Sequence, residues 1–386
     1  MQSAFHRPSL AGLFVSFLRL GVTAFGGPAM VAYIHKMAVE QKGWLDEASF
    51  RDGVALCQTI PGATAMQTSA YVGFRARGVA GAAASFIGFS LPAFSFMMAL
   101  SALYVGMRSL PPVVSAFSGL QAMVVAIVAN ATLSFGRTSL KNPVGVLIAV
   151  LAAGLFGWRI NPVIVILFAT LLGLILYRQA VSIQTPDPKG CVGAKKHILW
   201  LLAIALVGFA ALFLVQRRLF DLAALMVRID LLAFGGGFAS VPLMFHEVVE
   251  VRSWMDGPTF LNGIVLGQVT PGPIVITGTF VGYLLSGPLG GIVATVSVFL
   301  PSFVLVVGIA PHFDRLRASP GFNHAVGGIL CSFVGLLLTV TVRFALNVPW
   351  DLPRILLACA SLVALLLRAD ILYVVLVGVV ISVMVL

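Results

Sequence analysis

Apolar stretches of about 20 residues recur from one end of this chain to the other, and that length is what a transmembrane helix requires. The stretch "GPLGGIVATVSVFLPSFVLVVGIA" (287–310), for example, contains no charged side chain. Only 10% of all residues are charged, whereas a soluble chain would carry roughly a quarter. In lipid, a chain without closed β-barrels satisfies its backbone polar groups only by forming helices. The sequence therefore predicts an all-α, polytopic integral membrane protein in a lipid bilayer.

The apolar runs predict about thirteen transmembrane helices, separated into two sets by a polar connection. Their approximate ranges are 9–31, 53–74, 79–106, 112–136, 143–158, 161–177, 197–216, 219–241, 260–284, 288–311, 323–346, 353–367 and 370–386. The connection contains prolines, glycines and polar residues without periodicity, which is typical of a linker. The predicted organisation is a first half at residues 1–178, a linker at 179–196, and a second half at 197–386 with one extra helix.

Positive charge is distributed unevenly among the predicted loops. Lysine and arginine concentrate on one side of the predicted arrangement, which includes the linker, although Arg217 and Arg218 fall on the other side. Because cytoplasmic loops are enriched in these residues, the N-terminus and the linker are predicted to be cytoplasmic. The same bias explains the net charge of +11 without a nucleic acid partner.

The sequence contains no recognisable pattern for enzymatic or metal chemistry. Its four cysteines (Cys57, Cys191, Cys331 and Cys359) are scattered, which argues against a metal site and against a disulfide framework. No nucleotide-binding loop, zinc-protease motif or serine-hydrolase motif occurs. We therefore predict no catalytic residue, no cofactor and no metal, and an ATP-driven pump is disfavoured.

Two parts of the chain resemble each other at a separation of 209 or 210 residues. The motifs recur in one order: "FGGPA" and "FGGGF" beginning at Phe25 and Phe234, "GWLDEASF" (43–50) and "SWMDGPTF" (253–260), "CQTIPGAT" (57–64) and "GQVTPGPI" (267–274), and "FSLPAF" and "FLPSF" around Pro92 and Pro301. Several landmarks in one order at one separation indicate a duplication.

The duplicated halves are predicted to have opposite orientations in the membrane. The segment "FRARG" (74–78) is basic, whereas its counterpart "YLLSG" (283–287) is uncharged, and the next pair of loops shows the reverse bias. The extra helix near 197–216 would produce this inversion. Inverted repeats with broken helices are typical of secondary transporters, whose substrate site lies near mid-membrane between the repeats.

The recurring glycine and proline motifs predict interruptions within the helices. In lipid, such breaks persist only inside protein or beside a water-filled cavity. A helix that restarts after a break presents backbone N–H groups and a positive dipole end, which suits an anion. The predicted substrate-binding residues of these motifs are Phe25, Gly26, Gly27, Pro28, Gln58, Pro61, Gly62, Phe234, Gly235, Gly236, Gln268, Pro271 and Gly272. The alternative is that these residues are kinks or close-packing positions, which are common in membrane helices.

Two arginines, Arg19 and Arg228, occupy equivalent positions in the halves, and Arg19 lies near the middle of its predicted span. A charge there costs several kcal/mol unless it finds a partner or a wet cavity. Since arginine offers a planar fork of donors suited to oxyanions, we predict that both attract an anionic substrate. The alternatives are snorkelling and a structural ion pair, for instance with Asp230. The candidates for proton coupling are Asp230, Glu247 and Glu250.

At "FGGPAMVAYI", "QTIPGATAMQTSAYVGF" and "QVTPGPIVITGTFVGY", the chain resembles the chromate ion transporter family in its long, two-domain form. The resemblance covers nearly the whole chain apart from the linker. It implies a bacterial inner-membrane protein that exports chromate, or handles sulfate, by means of ion gradients. The family's glycine-proline motifs correspond to the substrate-binding residues named above, except that Gly237 stands where the first half has Pro28.

The function predicted from these features is secondary transport of a tetrahedral oxyanion, with proton-driven chromate efflux that gives chromate resistance. Transport of sulfate or another dianion is the main alternative, because chromate and sulfate share charge and shape. The alternatives from other classes are a membrane-embedded enzyme acting on lipid and a passive channel. The sequence leaves open whether the protein forms a homodimer.

Overall fold

A computed structural model describes residues 8–25, 29–177, 194–313, 316 and 319–386. Regular structure within these ranges is entirely helical, with fifteen α-helices and no strand. The predicted all-α class is therefore confirmed. Residues 179–193 of the predicted linker lie outside the described ranges, whereas its last three residues already belong to a helix.

The helices are given in chain order. In the first half they are α1 (Leu10–Thr23), α2 (Ala29–His35), α3 (Glu47–Thr59), α4 (Thr64–Met107), α5 (Pro111–Ser139), α6 (Pro143–Gly157) and α7 (Pro162–Leu176). In the second half they are α8 (Ala194–Val215), α9 (Arg217–Leu232), α10 (Gly237–Phe245), α11 (Gly257–Val269), α12 (Thr277–Ile309), α13 (Pro320–Leu346), α14 (Leu352–Leu366) and α15 (Ile371–Val385). A π-helical turn continues α2 at Lys36–Gln41 and α10 at His246–Val251.

The repeated Trp-x-Asp landmarks have a local structural role. The carboxylate of Asp46 accepts the Ser49 N–H at 2.7 Å at the start of α3. Its counterpart Asp256 accepts the Thr259 N–H at 2.8 Å at the start of α11. An aspartate in this position satisfies one of the unpaired N–H groups that begin a helix, so the same residue starts the equivalent helix in each half.

Helices α4 and α12 are each a helical hairpin. The backbone leaves helical geometry at Gly78 (φ +63°, ψ −152°) and at its counterpart Gly287 (φ +62°, ψ −152°), a conformation that glycine tolerates. Within α4 the Ser85 hydroxyl donates to the Ser69 carbonyl at 2.7 Å, although sixteen residues of straight helix would separate them by about 24 Å. The chain therefore folds back at each glycine, as the predicted boundaries between spans require.

In the described part of the chain, four helices are long and apolar enough to cross a membrane: Thr64–Met107, Pro111–Ser139, Ile274–His312 and Pro320–Leu346. The shorter apolar helices are Leu10–Thr23, Pro143–Gly157, Pro162–Leu176, Leu199–Val215, Leu352–Leu366 and Ile371–Val385. Two of the four long helices are the hairpins and therefore contain two limbs each. The count of thirteen spans stays a prediction.

Four predicted spans, 9–31, 53–74, 219–241 and 260–284, are wrong as continuous helices, and the breaks predicted inside them are confirmed. We refer to residues 24–28, 60–63, 233–236 and 270–273 as the first, second, third and fourth breaks. Gly62 (φ +118°) and Gly272 (φ +124°) hold backbone conformations that residues with a Cβ rarely adopt. Gly26, Gly27 and Pro28 of the first break lie outside the described residues.

The chain divides into two compact units, and each contains segments from both halves. Unit 1 comprises Met1–Ala102, Pro186–Ser240 and Thr270–Asp314, and unit 2 comprises Leu103–Thr185, Val241–Val269 and Arg315–Leu386. Each unit thus combines parts of both halves, although residues 32–60 lie in unit 1 and their counterparts 241–269 lie in unit 2. Division of the chain at the linker into two repeats stays a prediction.

Unit 1 contains all four breaks and is held together by helix packing around them. Helix α9 packs against α12, and Phe86 of α4 contacts Phe303 of α12 with ring centroids 5.2 Å apart. Phe17 of α1 meets Phe89 of α4 edge-to-face at 6.3 Å. The first pair joins the two halves inside this unit, and the second packs α1 against α4 within the first half.

Unit 2 is centred on α13, which packs against α5, α6 and α7. Its contacts depend on small residues: a Cβ added at Gly328 would lie 2.3 Å from the Ala169 carbonyl oxygen, and one at Gly335 would lie 2.4 Å from that of Ala149. Glycines at such positions let membrane helices approach closely.

Candidate functional site

The four breaks meet in two pairs within unit 1. The Gly62 N–H donates to the Ala233 carbonyl at 2.9 Å, and the Gly272 N–H donates to the Ala24 carbonyl at 3.1 Å. The two donors are counterparts in the duplicated sequence, and so are the two acceptors. The second break therefore bonds to the third, and the fourth break bonds to the first, so the same hydrogen bond is made twice.

The two glycines at these contacts leave no space for a side chain. A Cβ at Gly62 would lie 2.0 Å from the Ser302 Oγ atom and 2.6 Å from the Gln67 Nε2 atom. A Cβ at Gly272 would lie 2.7 Å from the Ala93 Cβ atom. Their N–H groups already bond to protein carbonyls, so in this conformation those two N–H groups are not available to an anion.

Asp230 lies beside the second break and is completely buried. Its Oδ2 atom accepts two hydrogen bonds from Ser302, one from the N–H at 2.8 Å and one from the hydroxyl at 2.7 Å. The Ser302 Oγ atom in turn accepts the Ala63 N–H at 3.1 Å. The Oδ1 atom of Asp230 has no hydrogen-bond partner among the described residues. One serine thus connects a buried acid to the backbone of the second break.

This acid exists in one half only. The counterpart of Asp230 is Gly21, and the counterpart of Ser302 is Ala93. A Cβ at Gly21 would lie 2.6 Å from the Phe89 carbonyl oxygen, so that position is occupied by close helix packing instead. Our sequence reasoning missed Ser302, although aligning "RLG" (19–21) with "RID" (228–230) and "LPA" with "LPS" would have shown both differences.

Arg19 and Arg228 both lie in unit 1, one turn or slightly more before a break. Arg19 is exposed and lies near the end of α1, which stops at the first break, while Arg228 is half-buried. The alternative in which Asp230 pairs with an arginine is not observed, because Asp230 makes no ion pair within the described ranges. Residues two positions apart on a helix do not face each other, which explains why Arg228 does not approach it.

The glutamines of the motifs occupy different surroundings. Gln58 is exposed near the end of α3, whereas Gln268 is half-buried near the end of α11, in unit 2. The Nε2 atom of Gln268 is buried without a hydrogen-bond partner in the described part of the chain. Gln67, which the sequence analysis did not single out, is fully buried in unit 1 and donates from Nε2 to the Pro61 carbonyl at 2.5 Å. Its Oε1 atom has no described partner.

The remaining motif residues line the breaks of unit 1 to different degrees. Pro271 and Gly272 are buried, Phe25, Pro61 and Phe234 are half-buried, and Gly235 and Gly236 have positive φ values of +88° and +99°. A Cβ at Gly236 would lie 3.1 Å from the Thr64 Oγ1 atom. The third break therefore approaches the start of α4 directly after the second break.

The other two candidates for proton coupling, Glu247 and Glu250, are held in ion pairs within unit 2. Glu250 accepts a hydrogen bond from Arg343 and lies 2.8 Å from Nδ1 of His246. Arg343 also donates to the Phe156 carbonyl at 2.6 Å. Glu247 lies 3.6 Å from Arg252. These acids already have cationic partners, in contrast to Asp230.

Replacing Arg343 by methionine is expected to destabilise the protein by about 3–5 kcal/mol, because it leaves the Glu250 carboxylate with one partner in a largely buried place. The double variant with Glu250→Gln should recover most of this loss. Thermal unfolding of the purified protein measures both effects. Arg137→Met, an exposed position on α5, is the control and should change stability by no more than about 0.5 kcal/mol. Equal unfolding temperatures of the Arg343 and Arg137 variants would show that the ion pair is not structural.

The chain is helical, has membrane-length segments and a duplicated sequence, and its helix breaks pair across the duplication. These features define a class, the polytopic membrane transporters built from broken helices. The sequence model of one such family, described as "Chromate transporter", matches residues 11–174 and again residues 220–383. The chain belongs to the chromate transporter family and is a multi-pass membrane protein. Its two matched regions are separated by the same 209 residues as the motifs, as a duplication requires.

Individual relatives agree with this assignment. An uncharacterized transporter of Methanocaldococcus jannaschii is 42% identical over 99% of this chain and 96% of its own length. A chromate transport protein of Cupriavidus metallidurans is 30% identical over 93% of this chain and 88% of its own length. A probable chromate transport protein of Synechococcus elongatus is 29% identical over 92% of this chain and 90% of its own length. No solved structure matches the chain.

Proposed function

We propose that the chain is a secondary transporter that exports chromate across a bacterial inner membrane, driven by an ion (proton) gradient, and so gives chromate resistance. The observation that carries this proposal is the reciprocal pairing of the four breaks in unit 1. Broken helices that meet between repeats form the substrate sites of many secondary transporters. The names of the chromate transport relatives support chromate as the substrate.

The substrate site in this proposal consists of the motif residues at the breaks together with Arg19 and Arg228. Chromate is a tetrahedral oxyanion, and guanidinium groups bind oxyanions through paired, charge-assisted hydrogen bonds. Because the N–H groups of Gly62 and Gly272 are bonded to carbonyls in this conformation, binding through them requires the paired breaks to separate. Such a separation would be part of the transport cycle.

The test is chromate uptake by inside-out membrane vesicles, with and without an imposed proton gradient. We expect saturable uptake that depends on the gradient and is absent from vesicles without the protein. Uptake that neither saturates nor responds to the gradient would identify a passive channel instead. Sulfate is included as a competitor, since it shares the charge and shape of chromate. Complete inhibition by a small excess of sulfate, with weak chromate uptake, would identify a sulfate transporter.

The repeats are proposed to have inverted topology, with residues 1–178 and 197–386 as the two halves. Reporter domains inserted after residue 76 and after residue 285 should then lie on opposite sides of the membrane, because these positions are the equivalent tips of the α4 and α12 hairpins. Protease accessibility in intact cells and in inside-out vesicles measures this. Insertions after residues 76 and 141 serve as a matched pair expected on one side, since both loops are basic. Reporters at 76 and 285 on the same side would show parallel repeats.

A further inference from the structure

We propose that protonation of Asp230 is coupled to oxyanion binding, and that Ser302 transmits the coupling to the second break. This inference rests on the proposed function as an oxyanion transporter. It is carried by the contacts of one side chain: Asp230 is buried, bonds to Ser302 through Oδ2, and has no described partner on Oδ1. Glu247 and Glu250 have arginine partners and lie in unit 2.

The surroundings of Asp230 favour binding of a proton to its carboxylate. A buried charge without a counter-ion costs several kcal/mol, and the only hydrogen bonds described on this carboxyl come from Ser302. Both groups directed at Oδ2 are hydrogen donors, whereas a metal cation would require several oxygen ligands. The site is therefore suited to taking up a proton.

The charged and titratable groups near Asp230 come from few elements. The helices that pack most extensively against α9 are α8 and α12. Their titratable residues and those of α9 itself are Tyr283 of α12, Lys195, Lys196 and His197 of α8, and Arg217, Arg218, Asp221 and Arg228 of α9. The side chains of the three α8 residues lie outside the described set. Among the described groups, none forms an ion pair with Asp230, so no described cation offsets its charge.

Ser302 can transmit the protonation of Asp230 to the second break because a hydroxyl has one hydrogen to donate and two lone pairs. While Asp230 is ionised, the Ser302 hydrogen is directed to Oδ2 and one lone pair accepts the Ala63 N–H. A proton bound to Oδ2 becomes the donor in that bond, and Ser302 accepts it through its second lone pair. The Ser302 hydrogen is then released and can be donated to an oxyanion at the second break.

Protonation of Asp230 therefore favours oxyanion binding in two ways. It removes a negative charge that repels the dianion, and it frees one donor next to the break. Proton binding and oxyanion binding should favour each other, and by linkage the coupling is reciprocal. Since Gly21 and Ala93 replace this pair in the other half, one proton accompanies each dianion. The complex of one proton and one dianion carries one net negative charge, so the membrane potential acts on its movement.

The test compares chromate affinity of the purified full-length protein with that of Asp230→Asn, measured by protection against thermal unfolding. Asparagine keeps the shape and cannot ionise. Because chromate itself takes up protons, the ratio of the two affinities at each pH is the relevant quantity. Between about pH 5.5 and about pH 8.5 we expect the wild type to lose affinity relative to the variant, by up to tenfold per pH unit. Asp221→Asn, an exposed acid on the same helix, should follow the wild type.

Each result is decisive. A constant ratio across the pH range would overturn the role of Asp230 while leaving chromate transport intact. No protection of the wild type by chromate or by sulfate would overturn the proposed function, and the coupling with it. If Asp230→Asn does not fold, Ser302→Ala replaces it: loss of the hydroxyl should lower affinity mainly at acid pH and so reduce the pH dependence. An unchanged pH dependence in that variant would also reject the proposal.

Discussion

Replacement of Gly62 or Gly272 by leucine is expected to abolish chromate transport while the protein still inserts into the membrane. Both glycines have positive φ values and no room for a Cβ, since the added atom would lie 2.0 Å from Ser302 Oγ or 2.7 Å from Ala93 Cβ. The positive φ costs roughly 1–2 kcal/mol for a residue with a Cβ, and forced overpacking adds about 1–3 kcal/mol. The paired breaks cannot then close. Uptake into inside-out vesicles, normalised to inserted protein, measures the loss.

Two controls separate backbone strain from steric overlap. Gly43 also has a positive φ (+57°), but a Cβ there would meet no atom within 4 Å, so Gly43→Leu should show the strain alone. Gly208 lies in α8 with open space around it, and Gly208→Leu should be almost neutral. Full transport with normal saturation in the Gly62 and Gly272 variants would reduce these glycines to packing residues that transport does not need.

A compensating substitution at Ala93 tests whether steric overlap at Gly272 causes the loss. For the smaller substitution Gly272→Ala, the added methyl group meets only the Ala93 Cβ atom at less than 3 Å. Replacing Ala93 by glycine removes that atom, so the double variant should regain the steric part of the lost stability and leave the backbone part. If Ala93→Gly gives no recovery, the overlap seen between these two positions is not the cause of the loss.

Replacement of Arg19 or Arg228 by glutamine is expected to raise the chromate concentration at half-saturation roughly 10- to 100-fold, from loss of a charge-assisted contact of about 1.5–3 kcal/mol. Lysine should be less damaging, because it keeps the charge and loses only the planar fork. The measurement is half-saturation of vesicle uptake together with protection of the purified protein by chromate. Arg218→Gln, an exposed arginine on the same helix as Arg228, should leave both unchanged.

A purely structural role of the two arginines would give different results from a role in substrate binding. Arg228 is half-buried and Arg19 is exposed, so a structural role predicts lower thermal stability for Arg228→Gln and little change for Arg19→Gln. A substrate role predicts that both variants lose affinity. Equal protection by chromate in the wild type and in both glutamine variants would remove the arginines from the site.

Much of this protein follows from local sequence. The all-α class is a consequence of apolar runs with few charges, because lipid leaves the backbone no other hydrogen-bond partners. The helix breaks and the hairpin turns coincide with glycine and proline motifs, since these residues set backbone geometry within a few positions. The duplication could be read from motifs that recur in one order at a separation of 209 or 210 residues. Asp46 and Asp256 cap the equivalent helices of the two halves because capping is a local interaction.

The tertiary structure decided which of these features meet. Nothing local indicates that Gly62 bonds to Ala233, or that Asp230 bonds to Ser302, 72 residues away. It also decided that Glu250 belongs to an ion pair with Arg343 while Asp230 has no cationic partner, a distinction invisible in a sequence where all three acids looked alike. The physical reason is that backbone geometry depends on neighbouring residues, whereas the partner of a buried polar group depends on which distant helices pack together and at which face.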